Sequence, residues 1–205
     1  MITIDDYEDD PYRAVQDFEE AMANYVGSRY AVATDSCTHA MELCLRLLAP
    51  SHISLPKHTY ISVVMLMHKL GIEYDLVDDD WYNHLEYNLT GSPIWDSARK
   101  LEYQMHKPFS MECISFGHTK PLEIGRGGMI FVDDDNVYEW LKRASYDGRN
   151  LAWSNWGKQS FYSVGYHYMM RPEEAIDGLN ILDGGCFNEQ HGKFNYPDVS
   201  GLIIK

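Results

Sequence analysis

Residues 113–129 read Cys113-Ile-Ser-Phe-Gly-His-Thr-Lys120-Pro-Leu-Glu-Ile-Gly125-Arg-Gly127-Gly128-Met129. An apolar run, residues 111–116, stops at a polar turn that holds Lys120. A glycine cluster follows, then a second apolar run at residues 129–132. The pattern predicts a strand, a turn carrying one lysine, a glycine corner and a second strand. Glycine tolerates positive φ and lets another backbone or a ligand come close. A lysine held at a strand end with few counter-charges has its pKa lowered. It then becomes an amine nucleophile toward a carbonyl, which is Schiff-base chemistry. Taken alone, Lys120 reads as a surface lysine in a turn.

Two further stretches bear on that choice. Residues 92–98, Ser-Pro-Ile-Trp-Asp-Ser-Ala, predict a buried strand ending at Asp96. Residues 30–40, Tyr-Ala-Val-Ala-Thr-Asp-Ser-Cys-Thr-His-Ala, predict a strand, a small hydroxyl-rich turn and a helix. Pyridoxal phosphate (PLP) needs three groups of this kind: a helix N-terminus for its phosphate, an acid for its ring nitrogen and a lysine for its aldehyde. Simple helix capping is the alternative for Ser36 and Thr38, and a strand-end cap is the alternative for Asp96.

In their order and spacing these pieces resemble the DegT/StrS family of PLP-dependent sugar aminotransferases, which have the aspartate-aminotransferase fold (fold type I). The resemblance spans about residues 18–182. It rests on Phe18-Glu-Glu-Ala-Met-Ala-Asn-Tyr-Val-Gly27, Ala31-Val-Ala-Thr-Asp-Ser-Cys-Thr-His-Ala-Met-Glu-Leu43 and Pro56-Lys-His-Thr-Tyr60. It continues through Trp95-Asp-Ser-Ala98, Ser115-Phe-Gly-His-Thr-Lys120, Gly125-Arg-Gly-Gly128, Gly165-Tyr-His-Tyr-Met-Met170 and Pro172-Glu-Glu-Ala-Ile-Asp-Gly-Leu179. It implies an α/β fold, a three-layer α/β/α large domain around a mostly parallel sheet. Family members carry an additional strand and helix before the strand ending at Asp96, where this chain has about a dozen residues. They also continue into a small C-terminal domain. The organisation expected here is a large domain at 1–182 and a short tail at 183–205.

The resemblance also implies roles. Lys120 would bind the cofactor aldehyde and then carry protons as the general base. Asp96 would pair with the pyridinium nitrogen. Ser36, Cys37, Thr38 and Ser115 would surround the phosphate, and Tyr60 would stack on the ring. His167 would reach the phosphate of the neighbouring subunit, so a homodimer with shared sites is expected. Four positions depart from the family. Cys37 stands in place of glycine, Arg99 of glutamine, Arg126 of glutamate and His167 of asparagine.

Composition fits a soluble globular chain. It has 205 residues, 45% hydrophobic and 23% charged, enough for one domain with a sizeable core. The net charge of −14 argues against nucleic-acid and membrane-surface partners. Any anionic substrate must therefore meet a local basic site. Cys37, Cys44, Cys113 and Cys186 show no CxxC spacing, and three fall in predicted core elements, as buried thiols in a reducing compartment do. The N-terminus is acidic, without a signal-peptide pattern, and no apolar run approaches membrane-spanning length. A cytoplasmic protein is expected.

The remaining elements follow from periodicity. Residues 1–10 read as an acidic arm. A helix follows, opened by Pro11 and closed by Gly27, with Ala14, Phe18, Ala21, Met22 and Tyr25 at helical spacing. Strands are predicted at 53–55 and 74–77, and helices at 60–70, 136–145 and 173–182. Asp78, Asp79 and Asp80 read as a solvated turn. Residues 150–164 show no clear period. The expected reaction is transfer of an amino group, from glutamate, to a nucleotide-linked keto-sugar, as in polysaccharide biosynthesis. Two rivals remain. One is a PLP sugar dehydratase, whose family members replace the lysine with histidine; Lys120 argues against it. The other is a non-catalytic dimeric binding module.

Overall fold

The computed structural model describes residues 1–150, 156–161, 163–188 and 195–202. The central sheet has the order β1 (Tyr30–Thr34), β7 (Gly128–Val132), β6 (Met111–Ser115), β5 (Ile94–Asp96) and β4 (Tyr87–Asn88). β7 runs antiparallel to both β1 and β6, β5 is parallel to β6, and β4 is antiparallel to β5. A parallel pair, β2 (His52–Pro56) with β3 (Glu73–Val77), lies alongside. An antiparallel bridge from Ser54 to Thr90 ties this pair to the chain just beyond β4. Through that bridge β2 and β3 point with β1, β5 and β6, and among the described strands only β4 and β7 oppose them.

Alternation along the strands sorts the core onto two faces. Val32, Cys113, Ile130 and Val132 meet α2 (Cys37–Leu48), α3 (Ile61–Leu70) and α4 (Asp135–Ser145). Ala31, Ala33, Ile114, Met129 and Phe131 meet α1 (Arg13–Val26) and α5 (Pro172–Gly184). Helices thus cover both faces, giving the three layers expected. β7 is buried along its whole length, so it reads as the continuous apolar run seen in the sequence. α1 ends at Gly27, and α5 opens with Pro172 at its first turn.

Three segments take forms that the sequence pattern left unspecified. The acidic arm contains a 3-10 turn at Ile4–Tyr7, where the Asp6 carboxylate accepts from Thr3 N at 2.8 Å. Where family members carry a further strand and helix and this chain has only about a dozen residues, it makes a 3-10 turn at Trp81–Asn83 and the two-residue strand β4. The tail folds back on the β2–α3 loop. Val199 N donates to Lys57 O at 2.9 Å, and His58 bridges to Asp198. Part of the stretch without a clear period, residues 151–155 and 162, lies outside the described residues, as do 189–194 and 203–205 of the tail.

Candidate active site

Three parallel strands end on one side of the sheet, and that is where the predicted site residues gather. β1 runs into Ser36, β5 ends at Asp96, and β6 ends at Ser115 before the turn that holds Lys120. A crevice beyond the carboxyl ends of parallel strands is the usual ligand position in such sheets. Here it is a cavity of about 480 Å3, lined by Ser36, Cys37, Thr38, Tyr60, Asp96, Ser115 and Lys120, together with Thr59, Trp81, Arg99, Arg126 and Tyr196.

The cradle is the N-terminus of α2. Ser36 Oγ accepts from His39 N at 3.2 Å, which is a helix cap, and Thr38 Oγ1 lies 2.8 Å from Ser62 Oγ. A cap and an anion ligand use the same geometry, since both answer unpaired amides at a helix start. The glycine corner presses against this turn. A Cβ added at Gly128 would lie 2.3 Å from Cys37 N, so only glycine allows β7 to begin there. Cys37 is buried, and burial pushes its thiol well above the usual range. It acts as a small hydrophobe beneath the cavity. Asp35, beside the cradle, is pushed up by burial, yet His39 and Arg126 pull its carboxyl below the usual value.

Asp96 and Lys120 are perturbed in opposite directions. Burial pushes the Asp96 carboxyl up, while bonds from Ala98 N (3.0 Å) and Tyr87 Oη (2.9 Å) and the charge of Lys120 pull it back. Burial and the charge of Arg99 push the Lys120 amine down, against the opposing charge of Asp96. Both shifts favour the neutral forms. A carboxyl raised and an amine lowered across one cavity are what acid–base chemistry needs.

Tyr60 caps the start of α3 and is 56% exposed, its ring open to the cavity mouth. His167 does not join these residues within the chain. Its Nδ1 lies 3.1 Å from Asp147, and it lines a neighbouring cavity with Asp35, Arg126 and Arg171. Of the same segment, Met170 is buried, and Tyr168 stacks on His39 with ring centroids 3.7 Å apart. Cys44, Cys113 and Cys37 are buried, and Cys186 is exposed.

Sequence reasoning missed three residues. Tyr87, on β4, links Asp96 to Thr59, whose Oγ1 lies 2.6 Å from the phenol oxygen. Trp81 donates from Nε1 to His58 O at 2.9 Å and stacks on Tyr196, which the returning tail brings to the cavity. An aromatic pair, Trp81-Tyr82, directly after three aspartates was the available signal for Trp81. Nothing local marked Tyr196.

Taken together, the cavity can hold an anion against α2, an aromatic ring against Tyr60, a cation at Asp96 and a carbonyl at Lys120. That set fits a phosphorylated aromatic aldehyde with a basic ring nitrogen. The described residues contain no cluster with metal-ligand geometry and no helix long and apolar enough to cross a membrane.

Residues 7–86 and 104–183 match the DegT/DnrJ/EryC1/StrS aminotransferase family. The match holds every predicted site residue except Asp96, which lies between the two stretches. GDP-perosamine synthase of Caulobacter vibrioides is 25% identical over 214 residues, covering 83% of this chain and 57% of that protein. An uncharacterized protein of Methanocaldococcus jannaschii is 24% identical over 214 residues, covering 80% and 55%. The chain thus spans little more than half the length of the curated relatives it matches. Among solved structures, a sugar aminotransferase from Micromonospora echinospora superposes with a TM-score of 0.67 at 17% identity, over 83% of this chain and 61% of that one. Helicobacter pylori PseC, an aminotransferase involved in the biosynthesis of pseudoaminic acid, gives 0.68 at 16% identity, over 83% and 57%. At such identities the likeness establishes the fold.

Proposed function

The chain belongs to the DegT/DnrJ/EryC1/StrS aminotransferase family, and on that premise we propose that its cavity holds PLP and serves transfer of an amino group from glutamate to a nucleotide-linked keto-sugar. The observation that carries this reading is the opposed pair, Asp96 raised and Lys120 lowered, facing one cavity at a helix N-terminus. When bound, the cofactor supplies an electron sink for negative charge developing at the carbon of the amino donor.

The chain's own residues do the rest. Lys120 Nζ, less costly to deprotonate than an exposed lysine, would hold the cofactor by its aldehyde carbon, the oxygen leaving as water. It then takes and returns a proton as general base. Asp96, already committed to two neutral donors, holds the proton on the ring nitrogen by offering a buried carboxylate to a cation. The amides at the start of α2, with the hydroxyls of Ser36, Thr38 and Ser115, bind the phosphate. Tyr60 holds the ring by face-on packing. Arg126, at the cavity mouth and paired with Asp35 at 2.8 Å, is the cation that an anionic substrate would compete for in a protein of net charge −14. A second copy of the chain is proposed to complete the site, with His167 of each directed to the other's phosphate. A two-fold axis makes one contact patch serve both cavities.

Incubation with PLP, glutamate and a panel of nucleotide-linked keto-sugars tests this reading. The expected result is an amino-sugar, seen by mass spectrometry, with an equal amount of 2-oxoglutarate. PLP binding without 2-oxoglutarate from glutamate alone or with any sugar would favour the dimeric binding module.

A further inference from the structure

We propose that Arg99 is the positioning residue for Lys120: by donating to the carbonyl of Thr119 it locks the lysine turn in a left-handed bend and keeps the Lys120 amine inside the cavity. The inference rests on the reading of Lys120 as the reactive amine. It concerns how that amine is held.

The bend is real strain. Thr119 has φ +67°, in the left-handed region that a β-branched residue rarely adopts. Strain of this kind persists only where surrounding contacts over-determine it, and it gathers at functional sites. Thr119 is exposed and lies outside any helix or strand, so packing does not hold it. Polar contacts do. Arg99 Nη1 donates to Thr119 O at 3.0 Å and lies 3.5 Å from Thr119 Oγ1. On the other side Glu123 accepts from Thr119 N at 3.2 Å. Asn188 Nδ2 donates to Lys120 O at 2.9 Å and to the same Glu123 carboxylate at 3.0 Å. A backbone bond from Lys120 N to Gly117 O at 3.2 Å closes the turn, and of the three side chains that add to it, Arg99 alone lines the cavity and alone carries positive charge.

Its place in the chain explains why the arrangement matters. Arg99 follows Asp96 by three residues. It therefore ties the wall that carries the acid to the turn that carries the amine, and sets their separation. Around Lys120 stand Asp96 from β5, Cys37 from α2 and Arg99 itself, with His118, Arg126, Tyr60 and Tyr196 elsewhere on the cavity wall. The charge of the Arg99 guanidinium disfavours the ammonium form, in the same direction as burial. If Thr119 relaxed to an ordinary φ, the turn would reopen, and Lys120 would gain water and lose both effects.

The test needs no cofactor. The purified full chain is acetylated with trace acetic anhydride across a pH series, and modification of Lys120 is read by peptide mass spectrometry against the other lysines. In the wild type the Lys120 profile should lie below that of the exposed lysines. Arg99→Gln should move its midpoint up by about one pH unit, which means about tenfold less labelling at a fixed pH below the midpoint. Arg99→Lys, which keeps a cationic donor, should restore most of the shift. In a Thr119→Gly background the bend carries no strain, so Arg99→Gln should move the profile clearly less. Three results would each overturn the proposal: an unchanged Lys120 profile in Arg99→Gln, no restoration by lysine, or an equally large shift in the glycine background. Since PLP is absent from the assay, failure of the aminotransferase reading and failure of this inference give different results.

Discussion

Glu86 and Asp96 sit at the two ends of one short segment, both buried, and their surroundings are opposite. Glu86 receives Lys100 Nζ and Lys107 Nζ, each at 2.7 Å, and Ser97 Oγ at 2.8 Å. Burial pushes its carboxyl up, but these partners bring it below the usual value. Asp96 receives a backbone amide and a phenol, and its cation, Lys120, stands across the cavity. Its carboxyl ends above the usual value. One buried charge is therefore settled inside the chain, and the other is left facing a cavity. A buried charge costs stability unless it is paired. Pairing Glu86 so fully and Asp96 so sparsely leaves the second carboxylate open to a cation in the cavity, which supports the role proposed for it. That is the physical content of assigning Asp96 to a pyridinium.

Removing the settled charge should have the largest effect. Glu86→Gln leaves Lys100 and Lys107 without their shared partner. It should cost about 3 kcal/mol in urea unfolding at neutral pH, the lower end for a broken buried pair, because those lysines are 18% and 30% exposed and can turn to water. The pH dependence has a definite sign. A carboxyl lowered on folding stabilises above its unfolded value of 4.5 and loses that contribution as pH falls through its folded value. The variant and the wild type should therefore converge on acidification.

The same exchange at Asp96 should act on chemistry instead. Asp96→Asn should keep PLP bound but slow the half-reaction with glutamate by at least about a hundredfold, the loss typical of one preorganised electrostatic partner. An unchanged half-reaction would sink the pyridinium role. Its stability effect should be small and of the opposite sign. A carboxyl raised on folding destabilises the native state above its unfolded value of 3.8. Without cofactor, Asp96→Asn should therefore match or exceed the wild type in urea unfolding at neutral pH, with the difference closing as pH falls toward 4. Tyr87 Oη can accept from the new amide while donating to Thr59, so the phenol keeps both of its neighbours.

What could be read from the sequence divides along a similar line. Lys120, Asp96 and the Ser36–Cys37–Thr38 turn were legible because each sits where an apolar run breaks, and strand ends on parallel strands converge by topology. Tyr87 was not legible. Its role depends on β4 pairing antiparallel to β5, a contact made by a two-residue strand with no periodicity. Tyr196 was further out of reach, since a tail that returns over β2 leaves no local signal. Arg99 was visible as an unusual cation near the site, but its bond to Thr119, 20 residues away, follows only from the folded turn.

The central claim is that Lys120 is the amine that meets the cofactor. The direct measurement is to mix the purified chain with PLP, reduce with borohydride, digest, and locate the added mass. The account predicts a visible absorbance band before reduction, a stable adduct on the peptide containing Lys120, and loss of both in Lys120→Ala. An adduct on another lysine, or a reducible band that survives in Lys120→Ala, would contradict it.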